Sequence, residues 1–121
     1  MKRIVKLMSK AAVLMLMLSL TGCYYDDLQV AEIPVIEEDV SFATDIQTIF
    51  NDNNCMQCHN ASRNPDLRDG LAYASLVPAY AIPNDSEGSI LLAKLIDGHR
   101  SVSATNIALI KSWIDQGAKN N

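Results

Sequence analysis

The sequence predicts an all-α domain of three to five short helices over residues 41–121. Three observations predict it. Apolar residues recur at helical spacing, glycine, proline and asparagine clusters break the chain between those stretches, and no run alternates apolar and polar residues as a half-buried strand would. No internal repeat is present. At about 81 residues, the domain is close to the size at which an apolar core needs a staple, a metal or a cofactor.

The chain opens on a basic segment holding Lys2, Arg3, Lys6 and Lys10 and no acid, followed by the apolar run Ala11 to Leu20. This is the layout of a secretory signal peptide. The run is too short for a membrane-spanning helix, which takes about 20 apolar residues. It also lacks the polar face of an ordinary buried amphipathic helix. Its end, Leu20-Thr21-Gly22-Cys23, resembles the cleavage box of bacterial lipoproteins. That resemblance implies removal of residues 1–22 and lipidation of Cys23, with more than one acyl chain giving stable membrane anchoring. The alternative is a free third thiol on a secreted protein.

Residues 23–40 read as an acidic tether. Tyr24 to Val40 holds Asp26, Asp27, Glu32, Glu37, Glu38 and Asp39 and no Lys or Arg. Without the four basic residues of the leader, six basic and fourteen acidic side chains remain, a balance of −8, and this stretch supplies −6 of it. Pro34 and the like charges favour an extended chain that could reach about 55 Å. The expected role is a leash lifting the domain off the lipid. The alternative has Ile33-Pro34-Val35-Ile36 packing as an edge strand. Acids directly after Cys23 also resemble a surface-export signal of some Gram-negative lipoproteins. The expected location is therefore a bacterial envelope membrane, facing the periplasm or the cell surface.

Within the domain, Phe42, Ile46, Ile49 and Phe50 fall on one helical face, with Thr44 or Asp45 as the expected start and Asn51-Asp52-Asn53-Asn54 as the stop. Asn60 to Gly70 is expected to be loop. Leu71 to Val77 reads as a short helix closed by Pro78. Pro83-Asn84-Asp85-Ser86 is expected to cap another, with Ile90, Leu91, Ala93, Leu95 and Ile96 as its apolar residues and Gly98 as its stop. The last helix should run from about Ala104 to Gln116. Its stripe is Ile107, Ile110, Trp113 and Ile114, Ser103 or Thr105 could cap it, and Gly117 ends it.

The first helix delivers the chain to Asn54-Cys55-Met56-Gln57-Cys58-His59-Asn60. Two cysteines three apart and followed at once by histidine form the attachment sequence of a c-type haem. The spacing has a chemical reason: the thiols of Cys55 and Cys58 add to two vinyl groups on one porphyrin edge, and the His59 imidazole can then serve as the fifth iron ligand. The competing readings each lack a partner. A Cys55–Cys58 disulfide closes a very small loop that adds little stability. A redox-active pair would want a thioredoxin-like context. Zinc would need four ligands, and only Cys55, Cys58, His59 and His99 could supply them. Export supports the haem reading, because cytochrome c maturation takes place outside the bacterial inner membrane.

Residues 41–121 resemble the small single-haem cytochrome c domains carried on bacterial lipoproteins. The resemblance is carried by SFATDIQTIFNDNNCMQCHN and by IALIKSWIDQGAKNN. It implies that the first and last helices cross, so that Phe42, Ile46 and Phe50 meet Ile107, Ile110 and Trp113, with Trp113 in the core. The chain departs from the family at the sixth iron ligand, which most members supply as a methionine before the last helix. Met1, Met8, Met15 and Met17 lie in the leader, and Met56 sits between the thioether cysteines on the His59 side. The remaining candidate is His99, in Asp97-Gly98-His99-Arg100-Ser101, where glycine could let the loop approach the iron. Lys94 is a weaker candidate, and an open position is the serious alternative. Arg63, Arg68 and Arg100 are candidate partners for haem propionates, with Tyr73 or Tyr80 as hydrogen-bond donors, and Arg68 is preferred.

The expected function is that of a membrane-anchored electron carrier with one covalent haem c, Cys55 and Cys58 as attachment points, His59 proximal and His99 distal. No acid–base pair, nucleophile arrangement or phosphate loop is present, so no enzyme activity is expected. An open distal site would instead suit a haem-based sensor or a peroxidase-like protein. A third possibility is a structural subunit of a larger redox assembly. The acidic tether argues against a nucleic-acid partner and favours redox partner proteins with a basic docking patch.

Overall fold

The computed structural model describes residues 1, 3, 4, 6 and 33–121. The apolar run, the Leu20-to-Cys23 box and the acidic stretch as far as residue 32 lie outside the described residues. The chain divides into Met1–Val30 and Ala31–Asn121, and the second unit carries all the elements discussed below. Among the described residues, every regular element is helical, there is no strand, and no helix is long and apolar enough to cross a membrane.

Ser41 caps the first helix, three residues before Thr44 and four before Asp45. Its hydroxyl accepts from the Thr44 N–H at 3.4 Å, while its own N–H donates to the Asp45 carboxylate at 2.8 Å. These reciprocal bonds satisfy donors that a helix start leaves unpaired. The chain passes through a π-helical turn, Phe42–Ile46, into α1, Gln47–Asp52. Asn54 then takes a left-handed conformation (φ +53°), which asparagine tolerates better than most residues, and turns the chain into a 3₁₀ turn at Cys55–Gln57.

After the loop come α2, Ala72–Leu76, and α3, Ile90–Ile96. Helix α3 starts later than the Asn84-Asp85-Ser86 segment suggests. That segment is spent on a turn instead: Asp85 Oδ1 accepts from the Gly88 N–H, and the Ser89 hydroxyl donates to the Asp85 carbonyl while accepting from the Ile82 N–H. Gly98 ends α3 in the left-handed region at φ +83°. A short 3₁₀ turn, His99–Ser101, leads to α4, Ala104–Asp115, capped by Ser103. Gly117, at φ +100°, closes α4, with the Ala118 N–H returning to the Trp113 carbonyl.

The core forms where the turn at 42–46 meets α4. Phe42 lies 5.2 Å from Trp113 and 5.3 Å from Tyr73 between ring centroids, at edge and tilted angles that suit aromatic quadrupoles. Phe42, Ile46, Phe50, Ile107, Ile110 and Trp113 all belong to one buried cluster. Both polar handles are used: the Trp113 indole N–H donates to the Lys119 carbonyl and the Tyr73 hydroxyl to the Ala118 carbonyl, each at 2.9 Å.

The compact unit begins before residue 41. Val40 is buried, and Ile33 and Ile36 pack against the core. The Gln116 amide clasps this segment, donating to the Glu38 carbonyl and accepting from the Val40 N–H, while the Ser112 hydroxyl donates to the Ile36 carbonyl. The segment is irregular and not a strand: the side chains of Ser112 in α4 and of Gln116 just past it, and not a neighbouring main chain, provide these partners. Residues 33–40, expected to belong to the tether, are in part packed on the compact unit.

Candidate functional site

Apart from the Phe42–Tyr73–Trp113 cluster, none of whose residues lines it, lies a cavity of about 550 Å³, within the range of small-molecule and cofactor pockets. Its walls are mainly apolar, with Ile49, Phe50, Leu67, Leu95, Val102 and Ile110 among them. Cys55, Cys58, His59 and His99 also line it.

The local fold explains how one short segment puts three of these side chains on one wall. The Cys58 and His59 N–H groups both donate to the Cys55 carbonyl, at 3.2 and 2.9 Å. Residues 55, 58 and 59 therefore occupy one helical turn at i, i+3 and i+4, which share a face. Both cysteines are free thiols. Burial pushes the Cys55 thiol up from its ordinary value, partly offset by the Arg100 charge and by a main-chain hydrogen bond. Cys58 is exposed.

His59 is oriented by the loop that follows it. Its Nδ1 lies 3.1 Å from the Pro65 carbonyl oxygen. A carbonyl can only accept, so Nδ1 is the donor, and metal-ligating histidines are commonly oriented by a contact of this kind. The loop is pinned by the Leu67 N–H, which donates to the His59 carbonyl at 3.1 Å. Gln47 holds it from α1, its amide N–H donating to the Leu67 carbonyl at 3.0 Å.

The His99 ring lies 6.0 Å from the His59 ring between centroids, at an interplanar angle of 72°. The two histidines, 40 residues apart in the chain, thus face the same space. Arg63, Lys94 and Tyr80 line the cavity as well, and Arg63 and Lys94 form no ion pair among the described residues.

Other expected residues are placed elsewhere. Arg68, the preferred propionate partner, is exposed and pairs with Asp66 at 2.6 Å, outside the cavity lining. The Arg68 guanidinium in turn holds the Asp66 carboxyl below its ordinary value. Asp66, two residues earlier, is simply the nearer anion. Arg100 reaches the cavity lining, but its guanidinium is engaged by Asn53, Asn54 and Gln57. Tyr73 belongs to the aromatic cluster. Met56 packs against the core and does not line the cavity. Cys23 lies outside the described residues.

The residues that sequence reasoning missed are Pro65, Gln47 and Arg100 in this tethering role. Pro65 and the acceptors of Arg100 act largely through carbonyls, which every residue carries, so no side-chain pattern marks them. Gln47 alone left a trace, as a polar residue among the apolar positions of the first helix.

Among the described residues, no three His, Cys, Asp or Glu side chains gather as a metal-binding group. A tetrahedral zinc site from Cys55, Cys58, His59 and His99 would require such a gathering. What remains chemically available is a wall bearing two thiols and an imidazole, a second imidazole facing it, and an apolar space between. Compared with protein families, curated proteins and solved structures, the chain matches none.

Proposed function

We propose that the protein is a membrane-anchored c-type cytochrome that transfers single electrons through one covalent haem. The observation that carries the reading is the shared cavity: Cys55, Cys58 and His59 on one wall, with the His99 ring 6.0 Å from that of His59. The residues fit the group. Cys55 and Cys58 would form the two thioethers, His59 would bind iron through Nε2, and His99 would bind from the opposite side. A first-row metal bonds an imidazole nitrogen at about 2 Å, so two rings gripping one ion from opposite sides have centroids about 6 Å apart. The apolar lining would bury a porphyrin face, and Arg63 or Lys94 would neutralise its carboxylates better than Arg68.

When bound, haem supplies an iron that cycles between ferric and ferrous states by one electron. The protein's own part would be to hold the His59 and His99 imidazoles toward the cavity, line it with apolar side chains and tie His59 Nδ1 to the Pro65 carbonyl. If His59 and His99 both hold the iron, the site would pass electrons and leave no position for a substrate. The signal sequence and Cys23 would place the protein on a bacterial envelope membrane, with redox proteins as its partners.

A second reading, a haem-based sensor or peroxidase-like protein, is favoured by one observation: His99 is exposed, in a turn with left-handed residues beside it. Electron paramagnetic resonance of the purified ferric holoprotein beside its His99→Ala variant decides between the two. Low-spin iron that becomes high-spin in the variant is expected for electron transfer. High-spin iron already in the wild type would overturn His99 ligation and favour the sensor or peroxidase.

A further inference from the structure

Arg100 joins two segments more than forty residues apart. Its Nε donates to the Asn53 carbonyl at 3.1 Å, and its Nη2 donates to the Asn54 carbonyl at 3.2 Å and to Gln57 Oε1 at 2.9 Å. All three acceptors belong to the short stretch that enters and forms the turn bearing Cys55. On its other side, Arg100 directly follows His99. Arg100 and Ser101 both adopt left-handed conformations, at φ +68° and +51°. Side-chain-bearing residues keep such conformations only where surrounding contacts over-determine them. Gly98, just before, is left-handed as well, and a Cβ there would meet open space, so little on that side holds the turn.

We propose that Arg100 is a positioning residue, a strut from the thiol-bearing turn that holds His99 over the cavity and so sets how readily the distal position opens. The proposal rests on the haem reading above. A guanidinium suits the task because its planar fork can address three acceptors at once, where a lysine ammonium is a point charge. The strut also couples the two axial sides of the site. The chain entering Cys55 fixes Arg100, Arg100 fixes the His99 turn, and His99 closes the site against external ligands.

The test uses the full-length holoprotein, with carbon monoxide as the probe. Carbon monoxide can bind reduced haem only when the His99 imidazole leaves, an exchange of one neutral ligand for another with no change in electron count. Arg100→Ala is expected to raise the rate of carbon monoxide binding about tenfold, a change equivalent to about 1.4 kcal/mol. The covalent haem content and far-ultraviolet circular dichroism should stay unchanged. His99→Ala should bind fastest, and adding Arg100→Ala to it should produce no further gain. That non-additivity separates positioning through His99 from a general loosening.

Equal rates in Arg100→Ala and the wild type, or an Arg100→Ala effect that persists undiminished without His99, would overturn the strut. A His99→Ala variant that matches the wild type in spin state and rate would overturn the axial assignment itself, and the strut with it. If Arg100→Ala loses its helix content, Gln57→Ala decides instead. It removes one exposed acceptor and should speed binding in the same direction by a smaller factor, whereas an unchanged rate there would overturn the proposal.

Discussion

The two sides of the core are built on opposite plans. Around Phe42, Tyr73 and Trp113 the protein satisfies itself: the rings pack at edge and tilted angles, and the indole and phenol donate to main-chain carbonyls. The start of the first helix is likewise tied to Asn121, whose main-chain and side-chain oxygens accept from Ala43 and Phe42 at 2.9 Å each. Around His59 and His99, apolar walls enclose a space that no side chain fills, beside a turn with left-handed residues. The difference teaches that the aromatic cluster meets its own packing and hydrogen-bonding needs, whereas the histidine-lined region presents an apolar surface to a cavity, which on the proposed reading would receive the haem.

The strongest way to break this comparison is to remove the two thiols that, on the proposed reading, would attach haem. Replacing Cys55 and Cys58 together by alanine should abolish covalent haem, read from the alkaline pyridine spectrum and the intact mass. It should also remove the cooperative thermal transition followed by circular dichroism, because a domain of about 81 residues is marginal without such support. A double variant that melts as cooperatively as the wild type would mean that the cavity side is stable empty.

The complementary change attacks the self-sufficient side. Trp113→Ala removes the largest fully buried side chain, and large-to-small substitutions of this kind cost about 3–5 kcal/mol. The loss should appear in denaturant unfolding of the holoprotein. The ferric spin state should remain that of the wild type, since Trp113 does not line the cavity. A change of spin state in Trp113→Ala would show that the two sides are not separable.

How much of this was legible in the sequence follows the same division. The stripes at Phe42, Ile46, Ile49 and Phe50 and at Ile107, Ile110, Trp113 and Ile114 were readable because helical periodicity is local, and all eight residues are buried. The Ser103 cap and the Gly98 and Gly117 stops were readable for the same reason. The starts at Ser41 and Ile90 were not, since Ser, Thr and Asp cluster there and tertiary partners choose among them. The packing of Ile36 to Val40 was hidden by Glu37, Glu38 and Asp39, which read as a solvated run. Those acids are exposed, but Gln116 holds the backbone beneath them. At the site, the Cys55–Cys58–His59 spacing encodes its own geometry. The approach of His99 depends instead on a long-range bond set centred on Arg100, which leaves no periodic trace.

A smaller effect sharpens where the self-satisfied side ends. Gln116→Ala removes the clasp on Glu38 and Val40, and losing partners for part-buried backbone groups costs about 1–2 kcal/mol. Amide exchange at Val40 and proteolysis between Ile33 and Val40 should both accelerate, with the haem spectrum untouched. Unaltered exchange at Val40 would mean that burial of the Val40 and Ile36 side chains holds the segment without the amide.

The smallest expected effect is electrostatic and concerns the end of α4. Burial pushes the Asp115 carboxyl up, but hydrogen bonds from Lys111 and Ser86, with the Lys111 charge, outweigh it and hold the group below its ordinary value. A carboxyl whose folded value is depressed adds stability at pH values above its unfolded value, about 3.9. That contribution disappears as pH falls from there through the folded value. Both partners of the Lys111–Asp115 pair are about two-fifths exposed, so solvent screening keeps the contribution below about 1 kcal/mol. Asp115→Asn should therefore lower stability slightly at neutral pH and flatten the loss below about pH 4. Denaturant midpoints of the two proteins, measured from pH 7 to pH 3, should converge toward the acid end. Midpoints that stay parallel across that range would show that Asp115 acts through its hydrogen bond to the Ser86 N–H, which an asparagine oxygen can also accept, and not through its charge.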